Sequence, residues 1–230
     1  GLDLDRAWMV VDAQGEFVSQ RELPRMALIR PTLRLSDLVL RAPGMLALHV
    51  SIDGVEEPCR VRVWNDEVPA FDMGDIAAQW FTDFLGTANG PLGKLRLVRF
   101  DPEHNRVSDR KWTGEDTGHS QFADGYAVLV ISSASIDEFN RRHQARGQAA
   151  VGIDRFRPNI VLEGLDEAHD EDRADVLHVR GDDGRTIARL KLVKPCTRCS
   201  IPDVDPATAD TATAVTETLQ TYRANPVVGG

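Results

Sequence analysis

Between residues 8 and 100, apolar residues recur at every second position in short runs, and only once at helical spacing. That pattern restricts the first part of the chain to a sheet-built domain carrying a single helix. The runs "AWMVVD" and "EFVSQ" flank Asp12-Ala13-Gln14-Gly15, which has the composition of a hairpin turn. "LRLSDLVLRA", "LALHVSI" and "CRVRVW" continue the alternation between Pro and Gly punctuation. The exception is "DMGDIAAQWFTDFLG". Its Ile76, Ala77, Trp80, Phe81, Phe84 and Leu85 fall on one wide helical stripe, which predicts core packing. Asp72 is placed to cap this helix and Gly86 to end it.

Beyond it, "KLRLVRF" predicts a strand and residues 101–123 a long polar loop, functional or mobile. "YAVLVI" predicts a buried strand, "SSASIDEFNRRHQAR" a helix with Ser at its cap, and "NIVLEG" another strand. "LDEAHDEDRAD" reads as a solvated acidic loop. "VLHVRG" and "RTIARLKLVK" form a hairpin around Asp182-Asp183-Gly184, and a short helix is expected around 215–224. There is no internal repeat. The class is α+β and β-rich.

A net charge of -9 argues against broad binding to nucleic acid polymers or anionic membranes, and leaves room only for a local basic pocket. The longest apolar run, "YAVLVI", is far below the roughly 20 residues of a membrane span. Hydrophobic content of 42% suffices for a core without a disulfide scaffold, and three cysteines, an odd number, fit a reducing compartment. No signal or transit segment is visible. The chain enters a strand almost at once and stops at "YRANPVVGG" with no closing element, which reads as a fragment cut at both ends.

Two of the cysteines lie in "VKPCTRCSIPDVDP". Structural zinc needs four ligands, and neither Cys59 nor the six His residues supply a second pair at the usual spacing. A thioredoxin-like pair opens a helix, whereas Pro202, Asp203, Asp205 and Pro206 follow here. Lys194 and Arg198 favour the thiolate, the form that binds soft metals. "GHSQF" lacks the final glycine and the preceding strand of a nucleophile elbow, and no phosphate-cradling glycine motif is present. "DRFRPNIVLEG" presents Arg155, Arg157 and Asn159 at a strand start; Arg157 suits either a phosphate or packing over the strand end. A pocket gathering Arg6, Arg157 and Arg198 suits a small polyanionic cofactor better than a polymer.

Taken in order, "DRAWMVVDAQGEFVSQRELPRMALI", "DMGDIAAQWFTDFLG", "FADGYAVLVISSASIDEFNRR" with "RFRPNIVLEG", "KPCTRCSIPDVDP" and "LQTYR" resemble the MOSC family. The likeness is to the branch with its own N-terminal β-barrel domain, that of the mitochondrial amidoxime reducing components and their bacterial relatives. It implies a MOSC N-terminal β-barrel-like domain over 1–112 and a MOSC β-barrel core with a few helices over 113–230, incomplete at its end. It implies a molybdenum cofactor (Mo-molybdopterin) with Cys199 as the metal ligand. Thr197, Arg198, Arg157, Asn159 and Arg6 would contact the pterin and phosphate. Asp124, Gly125 and Tyr126 would line the metal pocket, Asp124 sharing the catalytic role with Cys199.

The implied reaction is two-electron reduction of N-oxygenated compounds, such as N-hydroxylated bases, with electrons from a ferredoxin-like or cytochrome b5-like donor protein. A bacterial-type cytoplasmic location goes with it. A non-enzymatic carrier of the cofactor or its sulfur, using the same cysteine, is the alternative. Pro202-Asp203 stand where the family usually has Thr-Thr. Any iron–sulfur domain would lie beyond Gly230.

Overall fold

Alternation in the first hundred residues yields strands with two buried faces. The computed structural model describes residues 2–54 and 57–224. In chain order it contains β1 (Trp8–Val11), β2 (Arg30–Leu33), β3 (Asp37–Arg41), β4 (Leu48–Ser51), β5 (Glu57–Val63), β6 (Asp66–Asp72), α1 (Gly74–Leu85) and β7 (Arg96–Phe100). These form an antiparallel four-stranded sheet, order β1-β7-β6-β5, and a three-stranded sheet, order β2-β3-β4. Val10 and Leu97 point to one apolar cluster with Trp80, Phe81 and Phe84 of α1. Their chain neighbours Met9, Val11 and Val98 point to another, with Val61, Val68 and Phe100. The period of two therefore sends adjacent residues into different cores.

Strand β1 pairs with β7 on one side and, as expected, with "EFVSQ" on the other, where Val18 N donates to Val10 O and Asp12 N to Glu16 O, each at 2.9 Å, around the Val11–Phe17 bridge. Other local readings are corrected. Ile76 is 80% exposed, so the helical stripe is narrower than the sequence suggests. Asp72 is the last residue of β6; Met73 holds the cap position, though Asp72 Oδ1 accepts from Gly74 N at 2.7 Å. Its carboxylate also binds the Arg96 guanidinium, which keeps the arginine's pKa above its ordinary value. Gly86 ends the helix in the left-handed region at φ 67°, as expected.

The remaining elements are α2 (Arg110–Thr113), β8 (Val130–Ser132), α3 (Ser133–Ala145), β9 (Ile160–Leu162), β10 (Val176–Arg180), β11 (Thr186–Lys191) and α4 (Ala214–Gln220). Thus the long polar loop contains a helical turn, and "YAVLVI" contributes only the half-buried Val130 and Ile131 to a short strand. Strands β8 and β9 are parallel, and β10 and β11 form the antiparallel hairpin. Among the described residues no helix is long and apolar enough to cross a membrane.

The chain divides into two units. One comprises residues up to Ser108, Gly118–Ala127 and Val204–Thr211; the other comprises Asp109–Thr117, Val128–Asp203 and the chain from Ala212 onward. The second has its own core of Ile136, Phe139, Phe156 and Val215. Beside it, the Nδ1 of His143 lies 2.8 Å from Thr218 Oγ1, joining α3 to α4. Burial, and then the nearby Arg155 and Arg146, hold the His143 pKa below its ordinary 6.5.

The imidazole is therefore neutral in the fold while the unfolded chain takes up the proton first. Stability is expected to be constant above about pH 6.5 and to fall as pH drops from there to the lowered native value. His143→Gln is expected to lessen that fall, read from urea midpoints at about pH 7.5 and about pH 5.5. His169, lowered in the same direction by burial, accounts for the slope that remains.

Candidate functional site

Strand β11 delivers the chain into the cysteine segment, as the sequence predicts. From Leu192 to Cys199 it has no regular secondary structure, and Ile201–Asp203 then form a 3-10 turn. Cys199 is half-buried and Cys196 exposed, and both are free thiols. Cys196 donates weakly to the Thr197 carbonyl at 3.4 Å.

Two arginines fix the position of Cys199. On its N-terminal side, Arg198 Nη1 donates to the Phe156 carbonyl at 3.1 Å, and its guanidinium lies 5.5 Å from the Phe156 ring centroid. On its C-terminal side, Arg155 Nη1 donates to the Pro202 carbonyl at 3.3 Å. Both bonds lead to the 3-10 turn Ile153–Phe156, anchored by the buried Phe156. The sequence put Arg198 and Lys194 beside the thiols. The structure holds each over an aromatic ring, with Lys194 Nζ 5.3 Å from the Trp112 ring centroid.

That same 3-10 turn ends at Arg157, whose φ is 52°. Left-handed backbone at a non-glycine costs on the order of 1 kcal/mol and persists only where the surroundings over-determine it. The reciprocal arginine bonds supply that constraint. Exposed Arg157 is thereby placed on the turn that also tethers the cysteine segment. Asn159 is less available than expected, since its Oδ1 accepts from Leu129 N at 2.9 Å and its own N–H donates to Leu129 O at 2.9 Å.

Asp203, at the position that departs from the family pattern, is buried. Its carboxylate accepts from Val215 N at 3.1 Å and from Thr216 N at 3.0 Å, and from the Thr216 hydroxyl at 2.5 Å. It thus ties the end of the cysteine segment to the start of α4, a role for which a threonine would lack the second oxygen.

Arg6 and the turn bearing Asp124 belong to the first unit. Arg6 has φ 55°, pairs with Asp5, and accepts from Phe122 N at 3.2 Å through its carbonyl. The turn itself is held by Arg106, which the sequence did not single out. The Arg106 guanidinium is buried; it donates to Asp66 at 2.8 Å and to the carbonyls of Gln121, Ala123 and Asp124 at 2.9, 2.6 and 3.2 Å. Trp64, itself at φ 57°, donates from Nε1 to Asp124 Oδ1 at 3.1 Å. These bonds bring Arg6 and Asp124 onto one scaffold, with Gly125 exposed and Tyr126 half-buried beyond them. A Cβ at Gly125 would meet nothing within 4 Å, so local packing does not demand glycine there. A polar cavity of about 250 Å³ lies alongside, lined by Asp5, His104, Arg106, His119 and Gln121.

Among the described residues no three His, Cys, Asp or Glu side chains converge to hold a metal by themselves. A metal at Cys199 would therefore draw its remaining ligands from a cofactor or solvent. One soft sulfur donor, with the Arg157 guanidinium on a strained turn of the same unit, is a donor set that fits an anionic cofactor carrying a thiophilic metal.

Residues 1–88 match the model of the MOSC N-terminal beta barrel domain, and residues 117–229 match that of the MOSC domain. The chain belongs to the MOSC family and carries both domains.

Among characterised proteins, it is 33% identical over 225 residues to mitochondrial amidoxime reducing component 2 of Bos taurus. It is 32% identical over 227 residues to mitochondrial amidoxime-reducing component 1 of Homo sapiens. Each match takes in 95% of this chain, and the chain spans 62% of the length of these relatives. A solution structure of a Bordetella bronchiseptica protein is 29% identical over 42% of this chain and 72% of that one, at a TM-score of 0.36. That likeness is too low to bear on the fold.

Proposed function

We propose that the complete protein is a molybdenum-cofactor-dependent reductase of N-hydroxylated compounds, with Cys199 as the protein ligand of the metal. The observation that carries this reading is the arginine clasp. Arg198 and Arg155 bind the cysteine segment to the turn that ends in Arg157. A free thiol and an exposed guanidinium are thus held on one support within a MOSC domain. The amidoxime reducing components that the chain resembles are named for the same class of substrate.

When bound, the molybdenum centre supplies the capacity to take up an oxo group and pass two electrons. The chain supplies the rest. Cys199 presents the thiolate. Arg157 offers a forked donor to phosphate, worth about 1.5–3 kcal/mol as a charge-assisted hydrogen bond. Thr197 and Arg198 position the pterin edge, and Asn159 secures the strand start beside them. Arg6, Asp124, Gly125 and Tyr126 are proposed as further cofactor-contacting groups, with the Asp124 carboxylate, oriented by Trp64, offering an acceptor to the hydroxyl of an N-hydroxylated substrate. The electron source is a separate ferredoxin-like or cytochrome b5-like protein, and the setting is cytoplasmic.

The test uses the full-length parent made in a host that synthesises the cofactor. Near-stoichiometric molybdenum, together with reduction of an amidoxime when electrons are supplied, is expected. Molybdenum without turnover would favour the carrier. A well-folded protein with neither would overturn both.

A further inference from the structure

We infer that Trp112 is a positioning residue for the cysteine segment, holding it through Lys194. The segment Asp109–Thr117 belongs to the second unit although the chain on both sides of it belongs to the first. What it meets there is the stretch that leads to the cysteines. Lys191 Nζ donates to the Thr113 carbonyl at 3.3 Å and forms an ion pair with Asp116. Three residues on, Lys194 Nζ sits 5.3 Å from the Trp112 ring centroid, within cation–π range. Lys111 Nζ lies 5.0 Å from the same ring. The ring is itself placed by a capped turn, since Asp109 accepts from Lys111 N at 2.9 Å.

The consequence lies in the chain between two rings. Lys194 is held on Trp112 and Arg198 on Phe156, and the residues between them have no regular structure of their own. Fixing both ends restricts the path of this short stretch and hence the place where Cys199 begins. Releasing the Lys194 contact would remove the hold on the segment nearest upstream of the cysteines, with Lys191 still bound further back and Arg198 and Arg155 on either side of Cys199. The segment would then sample more open paths, and the thiol would meet solvent more often.

The inference rests on Cys199 being the functional thiol, and its test reads that thiol without requiring the metal. Cofactor-free full-length protein is alkylated with iodoacetamide, and the rate at Cys199 is followed by peptide mass spectrometry. Trp112→Leu and Lys194→Met are each expected to raise that rate about two- to five-fold, the shift that one exposed cation–π contact supports. Trp112→Phe and Lys194→Arg, which keep a ring and a cation, are expected to stay near the parent rate. Thermal midpoints should be unchanged throughout.

An unchanged Cys199 rate in Trp112→Leu would overturn the inference. So would equal behaviour of the Leu and Phe variants with lowered midpoints, since that would make Trp112 mere packing. Neither result bears on whether Cys199 binds molybdenum, which Cys199→Ser decides separately.

Discussion

Cys199→Ser is expected to lower molybdenum per chain in the complete protein by more than about tenfold, since even groups that only support a ligand change metal affinity that much. A serine hydroxyl is a hard, largely protonated donor and a poor substitute for a soft thiolate. Cys196→Ser is expected to retain the metal. The contrast is structural. Cys196 is exposed on the unstructured stretch, whereas Cys199 lies between residues that Arg198 and Arg155 bind to the 3-10 turn. Because Cys199 is not part of an apolar core, the serine variant should unfold at the temperature of the cofactor-free parent, so metal loss cannot be put down to unfolding. Elemental analysis of the three proteins, purified side by side, reads the result. Equal metal in Cys199→Ser and parent would remove Cys199 as the ligand and with it the proposed reductase mechanism.

The arginine contribution to that site was only partly legible in the sequence. The motif "KPCTRCS" and the run "RFRPN" can each be read locally, and both stand where the chain's order predicts them. That Arg155 reaches Pro202, 47 residues away, cannot be read from spacing. The same holds for Arg106, which looks like one more charge in a polar loop. It is in fact a buried guanidinium holding the carbonyls of Gln121, Ala123 and Asp124.

Strands and helices were more accessible, because periodicity is a local property. Trp80, Phe81, Phe84 and Leu85 are buried as their stripe requires. Ile76 fails because the margin of a stripe depends on what covers it. The expected hairpin at Asp12–Gly15 forms, because it too is local. Its turn has Gly15 at φ 80° and Val18 N donates to Val10 O at 2.9 Å, whereas the partner on the other side of β1, β7, is long-range and no local pattern names it.

The acidic stretch "LDEAHDEDRAD" gives the sharpest reversal, because one of its carboxylates is buried and bonded. Glu171 is 9% exposed and sits in the 3-10 turn Asp170–Arg173. Its Oε1 accepts from Ser132 N at 3.0 Å and from the Ser135 hydroxyl at 2.6 Å, and Oε2 lies 2.8 Å from the Ser132 hydroxyl. Ser132 caps α3, so the carboxylate stands at the helix N-terminus, where negative charge is favoured.

Burial works to raise the Glu171 pKa. The hydrogen bonds from Ser135 and Ser132 outweigh it and hold the carboxyl below the ordinary 4.5. The unfolded chain thus binds the proton first. Stability from this group is complete above about pH 4.5 and is lost as pH falls through the lowered native value.

Glu171→Ala removes the acceptor and leaves a backbone N–H and two buried hydroxyls with a lost partner. It is expected to destabilise the protein by about 3 kcal/mol, the range for buried groups deprived of a charged acceptor. Glu171→Gln keeps one acceptor oxygen and should cost about half as much, while removing this group's share of the acid dependence. Urea unfolding of the parent and both variants, at about pH 7 and about pH 4, separates the two effects. If Glu171→Gln retained the parent's full loss of stability on acidification, the carboxylate would not be the titrating group. If Glu171→Ala cost less than about 1 kcal/mol, the serine hydroxyls would have found other partners, and the buried knot would not be what holds the start of α3.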